Sequence, residues 1–160
     1  MPFPLRRVVG RRIVPLDPAE LSSLFATYER ATIDLGTGNG RPVLLRAAAE
    51  PGLLVVGLDA DAAAMAEASR RAARRVENGG LPNVLFLVAG AEALPQPLAG
   101  RFDEALVLFP WGSLLRGIVG GEAALVEGLA ALLRPRGKLT VLLSLTEHDL
   151  GLGGVPATLD

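Results

Sequence analysis

Short apolar runs alternate with longer stretches in which apolar residues recur at helical spacing. The apolar runs have the length and composition of buried strands, and no hairpin turns connect them. Predicted strands cover residues 31–35, 53–58, 84–88, 104–109 and 138–145, and predicted helices cover residues 42–50, 61–76 and 122–133. Strands separated by helices form a parallel sheet with helices on both faces. The pattern therefore predicts an α/β fold, a Rossmann-like doubly wound parallel sheet.

The first 30 residues follow a different pattern. Residues 6–14 read as two short β-prone pieces on either side of Gly10, which predicts an N-terminal β-hairpin with arginines on its outer face. Asp17 is placed to cap a helix whose first position is Pro18. We therefore expect a hairpin and helix over residues 1–30, the core domain over residues 31–148 and a flexible tail over residues 149–160.

The first central strand runs into a loop with glycine at every second position, Gly36, Gly38 and Gly40. Such a loop lets a ligand approach the backbone closely at the start of a helix. A dinucleotide-binding fold prefers G-x-G-x-x-G, and Asp34 would repel a pyrophosphate but attract a sulfonium or ammonium group. Asp59 ends the next strand, where it would reach ribose hydroxyls. This combination predicts S-adenosylmethionine (SAM) rather than NAD, with an ordinary glycine-rich turn as the simpler alternative.

Further candidates follow the third and fourth central strands. Ala91 and Glu92 stand where an adenine ring would lie, with Leu94 or Leu108 as an apolar neighbour and the carboxylate as an acceptor for the exocyclic amine. Taken alone, Glu92 is equally well explained as an acid at a helix N-terminus. Trp111, the single tryptophan, lies in the loop after the fourth strand, where it would stack on a flat substrate. A tryptophan packed in the core is the alternative.

Composition limits the remaining possibilities. The chain has 160 residues and is 50% hydrophobic, which suits one domain with a real core. It has no cysteine and one histidine, so we expect neither disulfides nor a metal site. No apolar run approaches the roughly 20 residues of a membrane span, and no signal-type segment follows the N-terminus. We therefore expect a cytoplasmic protein without a membrane partner.

The formal net charge is −1, so binding to nucleic acid would have to be local. Arginines cluster in two places, Arg6, Arg7, Arg11 and Arg12 near the start and Arg70, Arg71, Arg74 and Arg75 in the middle. On a helix the second cluster would form one basic face. A solvated surface is the usual meaning of such a run, but the scarcity of nearby acids favours a phosphate backbone as its partner.

With these residues, the sequence resembles the aminoglycoside-resistance 16S rRNA (adenine-N1) methyltransferases of the kanamycin and apramycin resistance type. These are class I SAM-dependent enzymes, and the resemblance covers nearly the whole chain. It rests on residues 34–40, 58–61, 79–83, 91–95 and 109–117. The first motif, Asp-Leu-Gly-Thr-Gly-Asn-Gly, is shared by most SAM methyltransferases. The last, Phe-Pro-Trp-Gly-Ser-Leu-Leu-Arg-Gly, is far more specific.

The resemblance implies SAM-dependent methyl transfer to N1 of a flipped adenine in the decoding site of 16S rRNA, within the 30S subunit, with aminoglycoside resistance as the result. It also implies that Trp111 is the catalytic residue and stacks on that adenine. The expected cofactor site comprises Asp34, Gly36, Thr37, Gly38, Gly40, Asp59, Ala60, Ala91, Glu92, Leu108 and Ser113. The arginines expected to hold rRNA are Arg6, Arg7, Arg70, Arg71, Arg74 and Arg75.

Family members continue through two further strands, and the connecting segment supplies a second aromatic residue for the target base. Since the sequence stops at Asp160, we expect a sheet that lacks its last two strands. The edge left exposed would favour self-association. Three other functions stay open: an NAD-dependent oxidoreductase, a methyltransferase for a small molecule, and a truncated, inactive fragment that only binds SAM or RNA.

Overall fold

The structure is a computed structural model that describes residues 4–144. Its strands are β1 (Arg6–Val9), β2 (Arg12–Pro15), β3 (Arg30–Leu35), β4 (Leu53–Asp59), β5 (Val84–Val88), β6 (Phe102–Leu108) and β7 (Leu133–Leu142). Its α-helices are α1 (Pro18–Thr27), α2 (Arg41–Ala49), α3 (Ala66–Ala72), α4 (Gly112–Val119) and α5 (Ala123–Ala131). None of these helices is long and apolar enough to cross a membrane.

The seven strands form one mixed sheet in the order β2-β1-β5-β4-β3-β6-β7. Strands β3 to β7 are parallel, whereas β1 pairs antiparallel with both β2 and β5. Helices α1 and α5 contribute to the core on one face, and α2 and α3 contribute to the core on the other. The doubly wound parallel sheet and the N-terminal hairpin are therefore both confirmed.

The sheet has its switch point beside β3. The chain leaves β3 toward β4 and β5 on one side and continues in β6 and β7 on the other. Asp34, near the end of β3, lies opposite Gly57 of β4 and Leu106 of β6. Ligands of open α/β sheets bind at the carboxyl ends of the strands at such a point. The fold therefore places the glycine loop at the centre of the edge where a ligand is expected.

Phe86 shows why two glycines are required for packing. Its ring, in the core between the sheet and α2 and α3, fills the space where Gly40 and Gly57 lack a side chain. A Cβ at Gly40 would lie 2.5 Å from the ring, and one at Gly57 would lie 2.8 Å from it. Glycine at position 40 is therefore explained by this contact and by its φ of +70° without reference to a ligand.

The predicted helix over residues 61–76 is wrong at both ends, because only Ala66–Ala72 is α-helical. At the start, the Asp61 side chain accepts the N–H of Ala64 and holds a turn. At the end, the N–H of Leu81 donates to the carbonyl of Ala72 and turns the chain back. Arg74 and Arg75 lie beyond the helix, so the expected single helical face of four arginines is also wrong.

Other boundaries differ from the predictions by a few residues. Strand β6 begins at residue 102 rather than 104, α5 ends at residue 131 rather than 133, and β7 begins at residue 133 rather than 138. The early start of β7 follows from its pairing with Phe102 before a register shift. Helix α4 was not predicted, since glycines at its first and sixth positions and at its C-cap mask the helical pattern. Leu145, His148 and the expected tail over residues 149–160 lie outside the described residues.

Asn83 fastens α2 to the sheet. Its buried side-chain amide donates to the carbonyls of Ala47, Glu50 and Leu53, at distances of 3.0, 3.1 and 2.8 Å. These bonds satisfy carbonyls at the helix C-terminus and at the entrance to β4. The motif at residues 79–83 therefore has a structural function.

Replacing Asn83 with alanine is expected to lower the free energy of unfolding by about 2–4 kcal/mol, because buried carbonyls lose their donor. Urea unfolding followed by circular dichroism measures this. Asn78→Ala, at an exposed position, is the matched control and should change stability by less than about 0.5 kcal/mol. Equal effects of the two substitutions would contradict the assigned role.

Candidate active site

The glycine loop is fixed to the neighbouring strand and open at its middle. Gly36, Gly38 and Gly40 all have positive φ, at 72°, 61° and 70°. The N–H of Gly36 donates to the carbonyl of Leu58 at 2.8 Å, which ties the loop to the end of β4. No atom lies within 4 Å of the place where a Cβ of Gly38 would stand. Gly38 is therefore the point in the loop where a ligand can approach the backbone.

Asp34 carries a buried carboxylate directly below this loop. Its side chain is 5% exposed and accepts a hydrogen bond of 2.9 Å from the Thr37 hydroxyl. The pKa of Asp34 is raised to about 6, chiefly because burial disfavours the charged form; the Thr37 hydrogen bond offsets part of this rise, and the Asp59 charge adds to it. At neutral pH the group is therefore a desolvated anion, which a cationic ligand would stabilise.

Asp59 ends β4 next to the loop, and its carboxylate is held by two backbone groups. One oxygen accepts the N–H of Gly38 and the other accepts the N–H of Asp61, both at 2.8 Å. Each carboxylate oxygen has a second lone pair that these bonds do not use. The side chain is therefore oriented and still able to accept hydroxyl groups. Ala60 is exposed in the turn beside it.

Ser113 connects the loop after β5 with the start of α4. Its hydroxyl donates to a carboxylate oxygen of Glu92 at 2.9 Å. Ala91 packs against the core, and Leu108 is partly buried at the end of β6. Glu92 is thus linked to the segment that carries Trp111.

Trp111 is the N-cap residue of α4 and is 86% exposed. The alternative of a core tryptophan is therefore wrong. Phe109, two residues earlier, is 62% exposed and has a φ of +48°. A bulky residue in the left-handed region is strained, and such strain is concentrated at functional sites. Phe109 was not among the candidate site residues, although an exposed aromatic residue so close to an exposed tryptophan is a usable signal.

The structure brings the main candidate residues to one edge of the sheet. Asp34, Gly38, Asp59, Glu92 and Trp111 all belong to loops or strand ends at the carboxyl edge. Thr37 is only 7% exposed, and its hydroxyl orients the Asp34 carboxylate. A groove of about 800 Å³ lies between α2 and α3, lined by residues such as Leu44, Leu45 and Val76, and it borders the glycine loop at Asn39.

Two of the six candidate RNA-binding arginines are held in ion pairs. Arg7 contacts Glu20 of α1 at 2.7 Å, and Arg70 contacts Glu67 at 2.7 Å. The expectation that hairpin arginines share an outer face is wrong for Arg7, since successive residues of a strand point to opposite faces. The other four are exposed and form no ion pair within residues 4–144, namely Arg6, Arg71, Arg74 and Arg75.

One protein-family model matches most of the chain. Residues 6–150 match the family model NpmA, described as 16S rRNA (adenine(1408)-N(1))-methyltransferase. The chain belongs to this family. The recognition made from the sequence motifs is therefore confirmed.

Relatives within the 16S rRNA (adenine(1408)-N(1))-methyltransferase family extend the comparison. A protein of that name from Streptoalloteichus hindustanus is 46% identical over 141 residues, which are 88% of this chain. The match covers 65% of that relative, so the chain spans a little less than two thirds of its length.

Two solved structures of the same family share the fold. The antibiotic-resistance methyltransferase Kmr has 38% identity and a TM-score of 0.89, with 97% of this chain and 82% of Kmr covered. A variant of the enzyme from Catenulisporales acidiphilia, solved with cosubstrate SAM, has 41% identity and a TM-score of 0.83. That match covers 86% of this chain and 61% of the enzyme.

Proposed function

We propose that this chain transfers the methyl group of SAM to N1 of a flipped adenine in the decoding site of 16S rRNA, within the 30S subunit, and so confers aminoglycoside resistance. The observation that carries the proposal is the exposed indole of Trp111 beside a cluster of acids at the carboxyl edge of the sheet. The names of the relatives support the reaction and its substrate. Such a substrate places the protein in the cytoplasm.

The carboxyl edge fits SAM on three grounds. The Asp34 carboxylate is buried with one hydroxyl partner and no cation among the described residues, so it suits a positively charged ligand. The unused lone pairs of Asp59 suit ribose hydroxyls. Glu92 and Leu108 suit the amine and the face of an adenine ring. Backbone groups near Gly36, Gly38, Ala60 and Ala91 complete the proposed site, with Thr37, Gly40 and Ser113 in supporting positions.

The chain catalyses the reaction by positioning. When bound, SAM supplies a methyl carbon to which the N1 lone pair forms a bond while the carbon–sulfur bond breaks onto sulfur. No strong base is needed, because that lone pair lies in the plane of the neutral ring. Trp111 holds the flipped base by stacking, and its π-face stabilises the positive charge that develops on the purine.

The exposed arginines give the proposed RNA contact. Four of them are free to bind phosphates, namely Arg6, Arg71, Arg74 and Arg75. Arg7 and Arg70 would bind phosphates by giving up their ion pairs with Glu20 and Glu67. We also propose that residues 31–148 form the cofactor-binding core.

The edge of the sheet at β7 is a candidate surface for self-association. Leu142 and Leu143 are exposed there and could pair with a second copy of the chain.

Primer extension on 16S rRNA tests the proposal. Purified 30S subunits are incubated with the chain and SAM, and N1 methylation of adenine should stop reverse transcriptase at a single adenosine, because the methyl group blocks base pairing. NAD in place of SAM should give no stop. SAM binding without a stop would instead support a methyltransferase for a small molecule or an inactive binding fragment. Binding of NAD rather than SAM would support the oxidoreductase.

A further inference from the structure

The turn of the N-terminal hairpin is attached to the arginine-rich segment. The N–H of Gly10 donates to the hydroxyl of Ser69 at 2.8 Å, and this hydroxyl donates to the carbonyl of Ala66 at 3.0 Å. Ser69 is 3% exposed, so the contact is shielded from water. A Cβ at Gly10 would lie 3.9 Å from the Cβ of Arg70, which places the turn directly against that residue. Hairpin and helix therefore meet through a fixed contact.

This contact brings unpaired charges of the two arginine clusters into one region. Arg11 follows Gly10 directly and is exposed. Arg74 is also exposed and lies four residues after Arg70, just beyond the end of α3. Neither forms an ion pair within the part of the chain that the structure describes. The nearby carboxylate of Glu67 is occupied by Arg70. Glu67 interacts electrostatically with Arg74 but forms its ion pair with Arg70, so the region keeps an excess of positive charge.

We propose that the hairpin turn and the segment after α3 form a single RNA-binding surface in which Arg11 contacts a backbone phosphate. Ser69 is the positioning residue that holds the hairpin turn, and with it Arg11, against the arginine-rich segment. Guanidinium groups bind phosphate oxygens with two parallel hydrogen bonds, and a fixed spacing between two of them reduces the entropy lost on binding. This inference rests on the proposed function and adds to it a contact from a separate structural element.

The test is the salt dependence of binding to 30S subunits, with a fluorescent label on the chain. Affinity falls as salt rises, and each lost phosphate contact makes the plot of log K against log salt less steep by about 0.7–0.9. Arg11→Gln should therefore reduce the ratio of affinities at ~50 and ~200 mM salt by about 3-fold. Ser69→Ala should reduce it similarly, and the double variant should lose no more than either single variant, because both changes remove the same contact.

Arg136→Gln is the matched control. Arg136 is exposed at the opposite edge of the sheet, so its replacement should leave the slope unchanged. SAM affinity should be the same in all variants, which separates loss of a contact from loss of the fold.

The outcomes distinguish this inference from the proposed function. If Arg74→Gln lowers the slope and Arg11→Gln does not, the hairpin contact is refuted while rRNA binding stands. If Ser69→Ala keeps the parent slope, the positioning role is refuted. If the parent chain shows no salt-dependent binding to 30S subunits, the proposed function fails and this inference fails with it.

Discussion

Trp111→Ala is expected to lower methyl transfer to 30S subunits by roughly 5- to 150-fold while leaving SAM affinity unchanged. The reason is the loss of a stacking contact worth about 1–3 kcal/mol, at a tenfold change per 1.4 kcal/mol. The fold should be unaffected, since the indole is 86% exposed. Single-turnover transfer of tritiated methyl groups measures the first effect, and calorimetry measures SAM binding.

Trp111→Tyr is the control, because an aromatic ring of smaller area retains part of the stacking. Its activity should lie between that of the parent and that of Trp111→Ala. A large loss of SAM affinity in the alanine variant would show that the indole belongs to the cofactor site, which would contradict the substrate role.

Asp34→Asn is expected to have opposite effects on ligand binding and on stability. The neutral amide removes the attraction for a cationic ligand, so SAM affinity should fall by at least about 10-fold, equivalent to 1.4 kcal/mol. The same change removes a buried charge. Because the pKa of Asp34 is raised to about 6 in the folded chain, ionisation above that pH costs stability. At pH 7 the variant should therefore be more stable than the parent by about 2–3 kcal/mol.

The sign of the pH dependence follows from the raised pKa. Below the unfolded value near 3.8 both states are protonated and Asp34 costs nothing, whereas above about 6 the folded chain bears the full penalty. The stability gained by Asp34→Asn should therefore grow as the pH rises from about 4 to about 6 and then level off. SAM affinity of the parent should fall as the pH drops below about 6.

Urea unfolding of both proteins across this pH range is the measurement. Glu77→Gln, which neutralises an exposed acid, is the control and should show neither effect. A variant that is less stable than the parent at pH 7 would mean that the carboxylate is stabilised by groups other than Thr37.

The sequence was sufficient for the central features of the fold. Strand β5 was predicted at its observed bounds, because a short apolar run between residues that interrupt regular structure can only be a buried strand of that length. Asp34 and Asp59 were placed correctly at strand ends, because Asp34 precedes a glycine loop and Asp59 closes an apolar run.

Features that depend on tertiary contacts were not predictable. The length of α3 is set by a backbone bond from Leu81 to Ala72, which no local pattern reveals. The ion pairs could not be predicted from the sequence either, because the partner of Arg7 in β1 is Glu20 in α1. The positive φ of Phe109 breaks the usual preference of bulky residues, and so local rules predict the opposite.

Hydrogen–deuterium exchange with and without SAM tests the central claim most directly, since it locates the cofactor without requiring catalysis. We predict slower exchange in residues 36–40, 59–61, 90–93 and 109–113 when SAM is added, and no change when NAD is added. Protection confined to the groove between α2 and α3, or protection by NAD in place of SAM, would contradict the account.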